Sequence, residues 1–148
     1  MAMNIEITGL EELIRECEKL ATPRELEITD KNAIKQCVDV AKTEVSRVMR
    51  VSKDVTKSGR KGSRSYIHSK DVLSTKITKK DGKIQGKVQI DDGKGNNPWF
   101  YSKFDEFEYG NSKYPPSKPW QNTFKKLRKQ WEEIFLKEYE KLIEKLGE

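Results

Sequence analysis

The chain has 148 residues, of which 36% are charged and 34% hydrophobic, with a net charge of +6. That is material for one domain with a modest core, and a composition too apolar for a fully disordered chain. The basic excess is local: residues 51 to 90 carry 11 basic and 3 acidic side chains, while 1 to 50 carry 8 and 10, and 91 to 148 carry 11 and 11. This points to a local anionic partner or a solvated loop, and away from a protein that coats nucleic acid over its whole surface.

Near the start, "TGLEELIRECEKL" places Thr8 three residues before Glu11, the spacing at which each side chain caps the other's backbone N–H. Leu10, Leu13, Ile14, Cys17 and Leu20 recur at helical spacing, and Pro23 is expected to close that helix. A second helix is expected after Thr29, running to about Met49, because Ala33, Ile34, Cys37, Val38, Ala41, Val45 and Val48 form one stripe. Cys17 and Cys37 both fall on apolar stripes without metal-ligand spacing, so both are expected as reduced core thiols.

From Ser52 to Tyr66, "SKDVTKSGRKGSRSY" offers no apolar face whose burial would offset the entropy of ordering, and a basic, flexible loop is expected at 52–66. Beyond it, "VLSTKITKKDGKIQGKVQI" alternates around Asp81 and Gly82, with Ile84, Gly86, Val88 and Ile90 at every second position. The pattern predicts a β-hairpin. In the aromatic run after "DDGKGNNP", Trp99, Phe100, Lys103, Phe104 and Phe107 fit a helix, whereas Trp99, Tyr101, Phe107 and Tyr109 fit one side of a third strand. Pro115, Pro116 and Pro119 make a corner, and Pro119 suits the first turn of a long final helix carrying Phe124, Leu127, Trp131, Ile134, Phe135, Tyr139, Leu142, Ile143 and Leu146. The expected fold is therefore α+β: a small antiparallel sheet containing a β-hairpin, packed by two N-terminal helices and a long C-terminal helix, in a single domain spanning 1–148.

Chemistry is sparse in this text. His68, the only histidine, has no nucleophile pattern around it, and Asp91, Asp92, Asp105, Glu106 and Glu108 sit in polar or alternating contexts without a sign of a raised pKa. A metal-dependent hydrolase or nuclease would have only those carboxylates to work with. The glycine-bearing stretches "SGRKGS" and "DGKGNN" lack the spacing of a triphosphate loop. No catalytic residue, metal site or cofactor is expected, and the chain is read as a non-enzyme without a membrane span or secretory signal.

Lys53, Lys57, Arg60, Lys61 and Arg64 could each neutralise a phosphate, giving salt-sensitive, sequence-blind binding to nucleic acid. The aromatic run is a weaker base-stacking candidate, because Asp105, Glu106 and Glu108 within it repel phosphate. Packing and subunit contact suit it better. Trp99, Phe100, Tyr101, Phe107, Tyr109, Tyr114 and Trp120 are of the residue types that anchor protein interfaces.

"ITGLEEL", a helix with Ala33 and Ala41, a basic Ser/Gly loop before a hairpin, and "YSKFDEFEYGNSKYPPSKPWQNTF" before a closing amphipathic helix together resemble the small neck and tail-completion proteins of long-tailed bacteriophages, the head-tail connector or minor tail family. Tyr101 matches the first aromatic of that family's motif, Glu108-Tyr109-Gly110 or Glu106-Phe107 its acidic-aromatic step, and Pro119-Trp120 its Pro-aromatic corner. The insert between Gly110 and Pro119 is longer than the pattern has, which leaves the register of the acidic residue open.

The resemblance implies a structural virion protein at the head-tail junction or tail end of a phage, prophage or phage-tail-like particle, assembled in the bacterial host cytoplasm. It implies a homo-oligomeric ring, commonly hexameric, touching neighbouring neck, connector, tail-terminator or tail-tube proteins. A ring needs two different surfaces that meet between successive copies. In such a ring the 52–66 loop would contact DNA in the channel or an adjoining protein.

Overall fold

The computed structural model of the chain describes residues 2–5, 11–49, 69–90 and 118–147. In chain order they form β1 (Ala2–Ile5), α1 (Glu11–Leu20), α2 (Pro23–Val48), a 3-10 turn (Ser69–Val72), β2 (Leu73–Lys80), β3 (Lys83–Ile90) and α3 (Pro119–Leu146). The fold is α+β: an antiparallel sheet in the order β1-β3-β2, with α2 lying on the sheet and α3 lying on α2.

The hairpin forms as its sequence predicts. Asp81 and Gly82 both take left-handed backbone, with φ of 52° and 77°, which matches the right-handed twist of the strands they join. The register sets Leu73 opposite Ile90, Thr75 opposite Val88 and Ile77 opposite Gly86. Gly86, Val88 and Ile90 are buried together on one side of β3. Gly86 is where the sheet and α2 come closest: a Cβ there would overlap Val38 Cγ1 and sit 2.6 Å from Ile34 Cγ2. The glycine is required by approach, since a methyl group would push the helix off the sheet.

β1 was not expected. Its Met3 and Ile5 stand opposite Val88 and Gly86 and are 5% and 1% exposed. Four residues are too few for alternation to register against background.

The start of α2 also differs from expectation. Pro23 opens this helix instead of merely closing the one before it. The Thr22 side chain accepts from the Glu25 backbone N–H at 3.3 Å, and the Glu25 carboxylate accepts from the Thr22 N–H at 2.8 Å. With its donors capped and proline's missing N–H falling where no partner is needed, the helix begins seven residues before Asp30, the position the apolar stripe alone suggested. Thr8, the expected cap of the first helix, lies outside the described residues.

α3 begins at Pro119, as its sequence predicts, and buries Trp120, Thr123, Leu127, Trp131, Phe135, Tyr139 and Leu142 along one line. Phe124 departs from the expected stripe: it is 42% exposed and meets Trp131 edge-on, with centroids 5.4 Å apart. Trp120 and Thr123 fix the phase of the buried line, and Phe124 falls one position past it. Cys17 and Cys37 are free thiols at 0% exposure. The 52–66 loop, the strand expected over 99–109 and the prolines at 115 and 116 lie outside the described residues.

Candidate functional site

Of the residues singled out by sequence, Lys53, Lys57, Arg60, Lys61, Arg64, His68, Asp91, Asp92, Trp99, Phe100, Tyr101, Asp105, Glu106, Phe107, Glu108, Tyr109 and Tyr114 lie outside the described residues. Trp120 lies within them. Its side chain is 4% exposed and belongs to the core, so the expectation that it faces a neighbouring subunit is corrected to one of packing inside its own chain. The cause is the corner before it. Lys118 takes left-handed backbone with φ of 52°, Pro119 starts the helix, and Trp120 falls on the buried line of α3 with Thr123, Leu127 and Trp131.

Two charged regions are described, and they are built differently. The first is the seam between α2 and α3. Asp30 meets Tyr139, Gln36 meets Glu138 at 2.7 Å and Glu44 meets Lys126 at 2.7 Å, so rising numbers on α2 face falling numbers on α3 and the helices run antiparallel. Glu44 also accepts from Arg47 at 2.6 Å, and the two cations hold its carboxyl down to about 2. The Tyr139 hydroxyl donates to Asp30. Burial pushes the Asp30 carboxyl above its ordinary value, an effect the Tyr139 hydrogen bond opposes, and burial followed by Asp30 itself raises the phenol strongly. Tyr139 therefore stays protonated as a structural donor. Behind it the Cys17 thiol points at the Tyr139 carbonyl oxygen, 3.9 Å away. Burial raises both thiols, Cys37 to about 12, which leaves neither with nucleophilic thiolate character.

The second region is the side of the hairpin turned away from α2. Because strands alternate, the residues between the buried positions of β3 share this side with their partners on β2. From the turn inward the rungs are Lys80 with Lys83, Thr78 with Gln85, Lys76 with Lys87 and Ser74 with Gln89. Lys76, Lys80 and Lys83 are exposed and Lys87 is half-buried. No acidic or apolar residue stands on these rungs. Lysines directly opposite one another repel, so each Lys-Lys rung costs the free hairpin some stability. Among the described residues, Lys76, Lys80 and Lys87 make no ion pair.

Lys79 is the counter-example on the same strand. It faces the helix side and reaches Glu27 of α2 at 3.0 Å, where Lys31 also binds, and the pair of cations lowers the Glu27 carboxyl to about 2. Sequence reading assigned the basic excess of residues 51 to 90 to the loop. It missed that Lys76, Lys80, Lys83 and Lys87 share a strand face, although the same period-two count that found Ile84 to Ile90 would have shown it.

Among the described residues no three His, Cys, Asp or Glu side chains are grouped to hold a metal ion, and no helix is long and apolar enough to cross a membrane. Comparison of the chain with family models, curated proteins and solved structures gave no match.

Proposed function

We propose that this protein is a structural, non-enzymatic component of a tailed phage, prophage or phage-tail-like particle, assembling as a homo-oligomeric ring, hexameric in the simplest form, at the head-tail junction or tail end. The observation that carries the reading is the corner at Lys118, Pro119 and Trp120. The Pro-aromatic pair of the resemblance follows a left-handed residue, Lys118, and seats a buried indole at the head of a 28-residue amphipathic helix. Ala33 and Ala41, the small residues of the resembling helix, are both fully buried in α2, which lies between sheet and α3. A hairpin follows, as the resemblance requires.

The test is to identify the proteins encoded beside it, co-express them with the chain, and examine the purified particles by electron microscopy. A ring of this protein at the neck or tail end is the expected result. Complete particles that lack the protein, together with a chain that stays monomeric at high concentration, would reverse the reading.

A second reading is favoured by the charge distribution: a nucleic-acid-binding module that uses Lys53, Lys57, Arg60, Lys61 and Arg64. Replacing Arg60, Lys61 and Arg64 by Ala is expected to lower affinity for DNA and flatten its salt dependence. Failure of the unmodified protein to retain DNA at low salt removes this reading.

A further inference from the structure

We infer that the exposed side of α3, along Lys125, Lys129, Glu133, Leu136, Glu140 and Glu144, is a two-fold contact surface for a second copy of this chain, with the two α3 helices packed antiparallel. The inference goes beyond ring assembly: a two-fold contact uses one self-complementary surface, whereas a ring closes through two different ones. It holds for the free chain in solution.

The six positions follow one another at spacings of three and four residues, so they share one side of the helix, away from the buried line of Trp120, Leu127, Trp131, Phe135 and Leu142. All six are exposed, Leu136 by 39%. Among the described residues none of the five charges makes an ion pair. The pairs that α3 does make are Lys126 with Glu44, Arg128 with Glu132 and Lys141 with Glu138.

Three features of the stripe select a second copy. First, it carries both signs in order, with the lysines toward the amino end of α3 and the glutamates toward the carboxyl end. Nucleic acid, or a protein surface of a single sign, is repelled by half of it. An antiparallel copy matches both halves, and a parallel copy sets like against like. Second, Lys125 and Lys129 are four residues apart, and so are Glu140 and Glu144. One register therefore sets Lys125 opposite Glu144 of the other copy and Lys129 opposite Glu140, and the two-fold axis repeats both pairs. The axis then passes between Ile134 and Phe135, and the two copies' Leu136 side chains are offset by about 4.5 Å along the helices, three residues at ~1.5 Å each. An apolar centre flanked by charge pairs is the anatomy of a protein interface, with a hydrophobic core and a polar rim. Third, Lys125 with Lys129 and Glu140 with Glu144 are like-charge pairs four residues apart, which disfavour the free helix and are each neutralised by the other copy.

One apolar side chain per copy at the centre makes this a weak contact, dependent on concentration and on salt. The experiment is sedimentation equilibrium of the full chain from about 10 μM to about 1 mM protein, at ~50 and ~500 mM salt. A monomer-dimer equilibrium that weakens at the higher salt is the expected result. Two charge-reversed chains are compared with it, Lys125→Glu with Lys129→Glu, and Glu140→Lys with Glu144→Lys. Each turns all four pairs repulsive and is expected to raise the dimer dissociation constant at least about tenfold.

Mixed in equal amounts, the two reversed chains should dimerise with each other, because each carries the charges that the other lacks. A chain with all four substitutions should dimerise as the unmodified one does. Damage to the fold would produce neither rescue, and circular dichroism of each variant checks folding directly. The inference is overturned by an unmodified chain that stays monomeric at every concentration, which would leave the stripe to solvent or to a different protein. It is overturned equally if the reversed chains associate as well as the unmodified one, or if their mixture associates no better than either alone. Higher oligomers that persist unchanged in both reversed chains would sink this contact while agreeing with ring assembly, so the two readings fail separately.

Discussion

Within the single strand β2, Lys79 and its neighbours Lys76 and Lys80 have opposite surroundings. Lys79 points toward α2 and is matched by Glu27, whereas Lys76 and Lys80 point the other way and stand opposite Lys87 and Lys83. The contrast extends to the whole molecule. Along the helix seam Glu44 meets Arg47 and Lys126, and Asp30 accepts from the Tyr139 hydroxyl. On the hairpin's outer side, Lys76 stands opposite Lys87, and neither makes an ion pair among the described residues. Substitutions that break a contact near the seam should therefore lower stability, whereas one that relieves the Lys76-Lys87 rung should raise it.

The largest effect is expected beneath the seam. Trp131 is 2% exposed in the core, and Trp131→Ala should cost about 3–5 kcal/mol of unfolding free energy, measured by urea titration, through lost burial and the cavity left behind. Gly86→Ala comes next. The added methyl group would lie 2.6 Å from Ile34 Cγ2 and overlap Val38, both packed side chains of α2, so a loss of about 1–3 kcal/mol from overpacking is expected. A Gly86→Ala protein of undiminished stability would mean that α2 does not rest on the sheet at this point, and the separation of the two sheet faces would go with it.

Tyr139→Phe tests the seam's polar contact. It leaves the Asp30 carboxylate without its buried donor and should cost about 1–3 kcal/mol near neutral pH. The pH dependence has a definite sign. Asp30 has a folded pKa above its ordinary 3.8, so its contribution favours the fold below that value and is lost as pH rises through the folded pKa. Removing the hydroxyl, which opposes that rise, should make the penalty larger at pH 7 than at pH 3. Glu27 and Glu44 act in the opposite sense. Held down to about 2, they stabilise fully above their ordinary 4.5, and that stability is lost as pH falls from there toward 2. Lys126→Met should therefore flatten the acid limb of the unfolding curve, read by circular dichroism, without moving the limb above pH 6.

How much of this was legible in the sequence depended on the length of the signal. The Asp81-Gly82 hairpin and the helix from Pro119 were readable because a two-residue turn with a demanding backbone and a 28-residue apolar period each leave a strong pattern. β1 was hidden because it has four residues and gains its place only by pairing with β3, a partner more than 80 positions away. Trp120 was misplaced because an aromatic residue's type does not say whether protein of its own chain or of a neighbour covers it. The left-handed Lys118 before it carries no marker in the text, since lysine rarely takes that conformation. The lysine face was overlooked for a different reason. Its spacing was present in the sequence, but alternation was counted only for apolar residues.

The smallest expected change in stability is also the one that most sharply divides the two regions. Lys87→Glu places a carboxylate opposite Lys76 in the centre of the sheet, turning a repulsive rung into an attractive one. Stability should rise by ~0.5 kcal/mol, the scale of a cross-strand charge pair, visible as a slightly higher urea midpoint. An unchanged or lower midpoint would mean that Lys76 and Lys87 do not face one another across the rung.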